Sequence, residues 1–216
     1  MEHKIIVVGA GPGHPDYMLP VARQAVAKAR VLVAGRRLLE QYGQPGQQLR
    51  VVDADIAGVL GFIAQAVRQC DVVVLVAGDP GYYSLLDALR RQFTTVCLQV
   101  IPGLSAMQLA FARVGLPWHG ARLLSWHGRE PAAAELTYAV GDCLGLLTDS
   151  VHNSQSIAVR LQQLGWPADT RLYICARLSY ADEQITATTL GTAAVQPPVG
   201  HCILLVCDSL RQETLT

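Results

Sequence analysis

The chain has 216 residues, of which 51% are hydrophobic and 16% charged, and its formal net charge is zero. That composition supports one large domain or two small ones around a sizeable core, and it excludes an intrinsically disordered chain. It also argues against nucleic acid as the main partner, since phosphate binding normally shows as a basic excess.

The six cysteines form no C-x-x-C and no His/Cys group at zinc-site spacing. Buried reduced thiols and no protein-bound metal are therefore expected. Only four apolar residues follow Met-Glu-His-Lys before a glycine. That run is too short for a signal segment or a membrane span, so the expected location is cytoplasmic with no membrane partner.

In chain order, residues 4–9 (K-I-I-V-V-G) read as a central strand and residues 10–17 as a Gly/Pro loop. Residues 18–29 carry helical spacing, with Pro20 in the first turn where its missing N–H costs nothing. Strands follow at 31–34 and 49–52, with helices predicted at 36–41 and 56–69. The next run, Val72 to Ser84, reads V-V-V-L-V-A-G-D-P-G-Y-Y-S. Its first five residues are apolar, as in a strand covered on both faces of a parallel sheet. It then breaks at Gly78-Asp79-Pro80-Gly81, where glycines free the backbone and proline fixes φ. Ligands bind at this carboxyl edge in open α/β sheets. A helix at 85–92, a strand at 95–101 and a helix at 104–114 complete a βαβα alternation, which implies a doubly wound parallel sheet.

The pattern changes at Gly115-Leu116-Pro117-Trp118. Strands are predicted at 122–126, 144–147, 172–175, 184–188 and 201–207, and helices at 131–140 and 154–164. Adjacent strands with no helix between them, as in 172–188, imply a mixed or antiparallel sheet. The expected architecture is a parallel α/β domain over residues 1–117 and a mixed-sheet α+β domain over 118–216.

The cluster Gly9-Ala10-Gly11-Pro12-Gly13-His14 invites a dinucleotide reading, but its sixth place is His14 rather than glycine. Pro12 and Pro15 also remove amides that would face a pyrophosphate. No acidic residue closes the second strand, where one is required about 20 residues on. Arg36 and Arg37 there leave only a phosphorylated nicotinamide as an alternative.

Six stretches, in this order, resemble one family: G-A-G-P-G-H-P-D, V-A-G-D-P-G-Y-Y-S, V-I-P-G-L-S-A-M-Q-L-A-F-A-R-V-G-L-P-W, S-W-H-G-R, L-T-D and R-L-S-Y-A-D-E-Q-I. Together, over about residues 4–207, they are similar to the tetrapyrrole methylases. The G-L-P-W, S-W-H-G-R and R-L-S-Y-A-D-E segments are most like the branch that methylates carbon 5 of a cobalt-precorrin, cobalt-precorrin-7, in cobalamin biosynthesis. The resemblance implies the two-domain tetrapyrrole methylase architecture. It also implies S-adenosylmethionine as methyl donor, S-adenosylhomocysteine as product, a small-molecule corrin precursor as acceptor, a cleft between the domains that takes both ligands, and a homodimer. The related aerobic enzymes are often fused to a second, decarboxylating methyltransferase; decarboxylation is not expected of this chain. Ala176 stands where the family usually carries an acidic residue, so no carboxylate role is carried to that position. Other readings are methylation at another tetrapyrrole position, a phosphorylated-nicotinamide reductase, and a tetrapyrrole carrier.

The resemblance assigns the donor to Gly78, Asp79, Pro80, Tyr82, Tyr83, Ser105, Ala106, Leu147, Thr148 and Leu178. A tyrosine face suits a sulfonium cation. Asp79 is equally suited to cap the helix that follows, and Ser105 to be an ordinary N-cap. An acceptor rich in carboxylates calls for arginine and histidine. The candidates are Gly11, Pro12 and His14 in the first loop, then Arg36, Arg113, His127 and Arg129. Histidine is the side chain suited to proton transfer near neutral pH, and His127 is the candidate proton acceptor. His3, His119, His152 and His201 are read as structural or surface residues.

Overall fold

In a computed structural model of the chain, residues 3–208 are described. They form two compact units divided between Ser105 and Ala106.

The first unit contains β1 (Ile5–Gly9), α1 (Pro20–Lys28), β2 (Val31–Ala34), α2 (Arg36–Tyr42), β3 (Gln48–Val51), α3 (Ile56–Ala66), β4 (Val72–Val76), α4 (Leu86–Gln92) and β5 (Leu98–Ile101). All strand pairs are parallel, in the order β3-β2-β4-β1-β5. Alternation assigns the two faces. Val8, Leu32, Val73 and Leu75 pack with Ala22 and Val26 of α1 and Leu38 and Leu39 of α2. Ile5, Val7, Val31, Val33, Val72 and Val74 pack with Val59, Leu60 and Ile63 of α3 and Leu89 of α4. Helices on both faces make the sheet doubly wound, as expected, and β4 lies at its centre. Its neighbours β1 and β2 send their helices to one face while β4 sends its own to the other. The chain therefore parts on either side of the β4 exit.

The second unit contains α5 (Ala106–Val114), β6 (Arg122–Ser125), β7 (Cys143–Leu147), α6 (Ser154–Gln163), β8 (Arg171–Ala176), β9 (Gln184–Thr189), α7 (Leu190–Ala193) and β10 (Ile203–Cys207). Its sheet runs β6-β7-β10-β8-β9. The β6–β7 pair is parallel and the remaining pairs are antiparallel, so the sheet is mixed, as expected. One face is covered by Ile157, Ala158 and Leu161 of α6 and Leu190 and Ala193 of α7. On the other, α5 packs against β7 and β10. A Cβ on Gly145 of β7 would lie 2.6 Å from Met107 Sδ and 3.1 Å from Phe111 Cε2, so the helix seats closely because that position is glycine. This packing puts α5 with the second sheet, whereas the sequence reading had placed it in the first domain.

Three local differences have physical causes. The helix expected at 131–140 is a single 3-10 turn at Ala133–Leu136. The carbonyls that would continue a helix are held elsewhere: Arg122 donates to Glu135 O and Thr137 O at 2.8 Å each, and Trp166 Nε1 to Leu136 O at 2.7 Å. Residues 95–97 form a 3-10 turn ahead of β5 rather than strand. Finally, Cys143 and Cys207 face each other across the antiparallel β7–β10 pair with Cα atoms 4.2 Å apart, their sulfurs within bonding range as a disulfide pair. Cys70, Cys97, Cys175 and Cys202 remain free thiols. Burial pushes the Cys175 thiol up to about 12, with Cys202 adding to the shift.

Candidate functional site

In the first unit the exits of β1, β4 and β5 converge without side chains between them. A Cβ on Gly9 would lie 2.6 Å from Gly78 O and 2.7 Å from Gly103 Cα, and one on Gly103 would collide with Gly78 O. Gly11 and Gly78 form an isolated bridge, in which the Gly78 N–H donates to Gly11 O at 2.8 Å and the Gly11 N–H to Gly78 O at 3.3 Å. Both glycines have positive φ, +81° and +68°, which side-chain-bearing residues adopt only with strain.

Asp79 ties this arrangement together. Its Oδ1 accepts the Gly81 N–H at 2.7 Å and its Oδ2 accepts the Gly103 N–H at 3.0 Å. Both carboxylate oxygens are therefore committed to backbone. At the start of the helix that follows, Ser84 Oγ accepts the Leu86 N–H at 3.1 Å and donates to Pro80 O. Pro80 is buried, and Ser105 is buried beside the same turn, with its Cα 3.6 Å from where a Gly78 Cβ would sit. Tyr82 and Tyr83 meet edge to face at 4.9 Å between ring centres. Tyr83 holds φ +50°, a costly conformation for an aromatic residue. The Tyr82 hydroxyl is buried with no hydrogen-bond partner among the described residues. Burial pushes its phenol well up from the ordinary value, with Tyr83 adding to the effect.

A cavity of about 390 Å³ opens at the carboxyl edge between β2 and β4. Its apolar base includes Leu38, Val52 and Leu75, and Arg36, Arg37, Tyr83 and Ser84 also line it. Arg36 and Tyr83, assigned by sequence to different ligands, thus share one cavity. In the β1 loop the His14 Nδ1 accepts the Asp16 N–H at 3.3 Å, capping a 3-10 turn at Pro15–Tyr17. That turn separates the glycines from α1, whereas in the dinucleotide motif the glycines lead directly into the helix.

In the second unit Leu147, Thr148, His127 and Arg129 come together at the exits of β6 and β7. The Trp126 N–H donates to Leu147 O at 2.8 Å. Thr148 is buried, and its hydroxyl donates to Cys202 O at 2.9 Å and accepts the Cys202 N–H at 2.8 Å. His127 Nδ1 lies 3.4 Å from Thr148 O. Asp149, which the sequence reading left without a role, accepts the Gly128 N–H at 2.9 Å and the His152 N–H at 2.6 Å. Those bonds, with the one to Gly128 leading, hold its carboxyl far below the usual carboxylate range. Arg113 donates to Glu183 at 2.6 Å, and the Ser179 N–H donates to the same carboxylate at 2.7 Å, next to buried Leu178. Burial works against ionisation of Glu183, but these two donors hold its carboxyl below the ordinary value. Among the described residues, no group of three or more His, Cys, Asp or Glu is placed to hold a metal ion. No helix there is long and apolar enough to cross a membrane.

Glu183, Asp149 and Gly103 are the residues that sequence reasoning missed. Each lies inside a quoted motif (R-L-S-Y-A-D-E, L-T-D and P-G-L-S), but its partner is distant in sequence.

This fold is that of a two-domain methylase. A sequence profile of the tetrapyrrole (corrin/porphyrin) methylases matches residues 4–194, and the chain belongs to that family. The cobalt-precorrin-7 C(5)-methyltransferase of Salmonella typhimurium is 37% identical over 125 residues, which is 58% of this chain and 62% of that enzyme's length. The probable cobalt-precorrin-7 C(5)-methyltransferase of Methanocaldococcus jannaschii is 24% identical over 193 residues, 88% of this chain and 91% of its own. The uroporphyrin-III C-methyltransferase of Thermus thermophilus, crystallised with S-adenosylhomocysteine, superposes with a TM-score of 0.71 at 23% identity, covering 97% of this chain and 94% of that one.

Proposed function

We propose that the chain is an S-adenosylmethionine-dependent C-methyltransferase acting on carbon 5 of cobalt-precorrin-7 in cobalamin biosynthesis, as a cytoplasmic homodimer. The observation that carries this reading is the side-chain-free platform of Gly9, Gly78 and Gly103, locked by Asp79 beside a buried tyrosine hydroxyl that has no partner among the described residues. The glycines let the three strand exits close on one another's backbone at the carboxyl edge of the sheet, where such folds take their ligands, and the orphaned hydroxyl matches a ligand rich in hydrogen-bonding groups.

When bound, the donor supplies an electrophilic methyl group on a sulfonium. Gly78, Pro80, Tyr82, Tyr83, Ser105 and Ala106, with Leu147, Thr148 and Leu178 of the second unit, are the residues proposed to hold it. Asp79 acts by shaping the turn. Thr148 contributes backbone, since its hydroxyl is committed to Cys202. Gly11, Pro12, His14, Arg36, Arg113, His127 and Arg129 are proposed to face the acceptor, the arginines gripping its carboxylates. Arg113 reaches it as part of the Arg113–Glu183 pair. His127 takes up the proton lost from the methylated carbon. Alignment of donor and acceptor supplies most of the rate enhancement, because transfer from a sulfonium to an electron-rich carbon is an in-line displacement.

Calorimetry tests the reading directly. Binding of S-adenosylhomocysteine with no binding of nicotinamide dinucleotides is the expected result. Tight nicotinamide binding without a response to S-adenosylhomocysteine would overturn it.

A further inference from the structure

Asp149, the second residue beyond β7, is where three segments of the second unit meet. Its Oδ1 accepts the Val151 and His152 N–H groups at 2.8 and 2.6 Å. Its Oδ2 accepts the Gly128 N–H at 2.9 Å and lies 3.2 Å from His152 Nδ1. Its carbonyl accepts the His201 N–H at 3.4 Å, and a Cβ on Gly200 would sit 2.7 Å from that same oxygen. The exit of β6, the start of α6 and the approach to β10 are all fastened to this one residue.

The contacts to Val151 and His152 are local, of the kind any aspartate makes to amides two and three residues on. The contact to Gly128 is different. It spans 21 positions and reaches the middle of the His127-Gly128-Arg129 turn. Gly128 is exposed, holds φ +65°, and a Cβ built there would touch nothing within 4 Å. Packing therefore does not fix its position. Three other bonds of the turn are longer: His127 N–H to Ser125 Oγ at 3.2 Å, His127 Nδ1 to Thr148 O at 3.4 Å, and Arg129 N–H to Trp126 O at 3.5 Å. The charge-assisted bond to Asp149 is the shortest of these, and such bonds are the stronger class.

We propose that Asp149 is a positioning residue for acceptor binding. By holding the Gly128 amide, it sets the His127–Arg129 turn in the orientation from which Arg129 grips an acceptor carboxylate and His127 faces the acceptor. The proposal rests on the acceptor role given above to His127 and Arg129. It implies that the first sheet and the second use one device. In each, a carboxylate just past one strand grips the backbone at another strand's exit: Asp79 after β4 holds Gly103 after β5, two places away in its sheet, and Asp149 after β7 holds Gly128 after the adjacent β6.

The test compares steady-state kinetics of Asp149→Asn, Arg129→Ala and the double variant with cobalt-precorrin-7, alongside calorimetry with S-adenosylhomocysteine. Asn offers one acceptor oxygen and turns an amino group towards N–H donors. Asp149→Asn is expected to raise the acceptor KM by about tenfold, the loss of one hydrogen bond to a charged group. Affinity for S-adenosylhomocysteine is expected to stay within about twofold, and the double variant to show clearly less than the product of the two single effects, because part of the Asp149 effect acts through Arg129. An unchanged KM in Asp149→Asn while Arg129→Ala raises it overturns the positioning role alone. Full multiplication of the two effects, or an equal loss of S-adenosylhomocysteine affinity, also overturns it. An unchanged KM in Arg129→Ala removes the acceptor reading of the turn, and this proposal with it. Hydrogen exchange in the unaltered protein keeps the test independent of variant folding. The Gly128 amide is expected to be protected although it lies in an exposed turn, and exchange at the rate of a free amide overturns the proposal.

Discussion

Replacing Asp79 with alanine removes two hydrogen bonds at once, to Gly81 and to Gly103. Hydrogen bonds to charged groups contribute about 1.5–3 kcal/mol each, and the half-buried setting of Asp79 places both near the lower end of that range. The expected loss is about 3 kcal/mol, a substantial share of the 5–15 kcal/mol that holds a typical domain folded. For a chain of this size that corresponds to a fall in Tm of about 6–12 °C. The Gly103 bond also joins the β4 exit to the turn that carries Ser105. Its loss lets the two turns proposed to hold the donor drift apart, and S-adenosylhomocysteine should bind at least about tenfold more weakly, since sub-ångström placement governs such sites. Asp79→Asn should fall between, keeping one acceptor and setting an amino group against the other N–H. The assays are differential scanning calorimetry and isothermal titration. A Tm within about 2 °C of the unaltered protein, with undiminished ligand affinity, would refute the reasoning, because it would mean the carboxylate bonds carry neither stability nor geometry.

Other outcomes follow from particular groups. Tyr82→Phe removes a buried hydroxyl that has no partner among the described residues, so stability should hold or rise by up to about 1 kcal/mol while S-adenosylhomocysteine affinity falls; clear destabilisation in urea titration would contradict this. The folded-state pKa of Asp149 is depressed, so its contribution is present above the unfolded carboxylate value of about 4 and is lost as pH falls below it. Urea titrations of Asp149→Asn should show a weaker decline across that acidic window than the unaltered protein, and an identical decline would remove Asp149 as a source of acid lability.

The first sheet was legible because its signals are local. Val72–Val76 is covered on both faces and so reads as unbroken apolar sequence, and the Gly/Pro break after it marks the strand exit in the primary structure. Long-range partners were not legible. Nothing near residues 131–140 indicates that Arg122 and Trp166 capture the carbonyls a helix would use. Helix α5 follows β5 directly in sequence, yet the space left at Gly145 draws it to the second sheet. At the candidate site, motif spacing did not disclose which partners the side chains hold. Asp79 turns out to bind backbone rather than cap α4, and Thr148 spends its hydroxyl on Cys202. His14 caps a turn, and Arg113 is held by Glu183. In each case the partner lies in another loop, and spacing within a motif carries no record of it.

The central claim is methyl transfer to carbon 5 of cobalt-precorrin-7. Its most direct test is incubation of the purified chain with that acceptor and isotopically labelled S-adenosylmethionine, followed by mass spectrometry and carbon NMR of the product. The account predicts one labelled methyl group, located at carbon 5, with turnover. A product labelled at another carbon, or an acceptor recovered unmethylated by a chain that binds it, would contradict it.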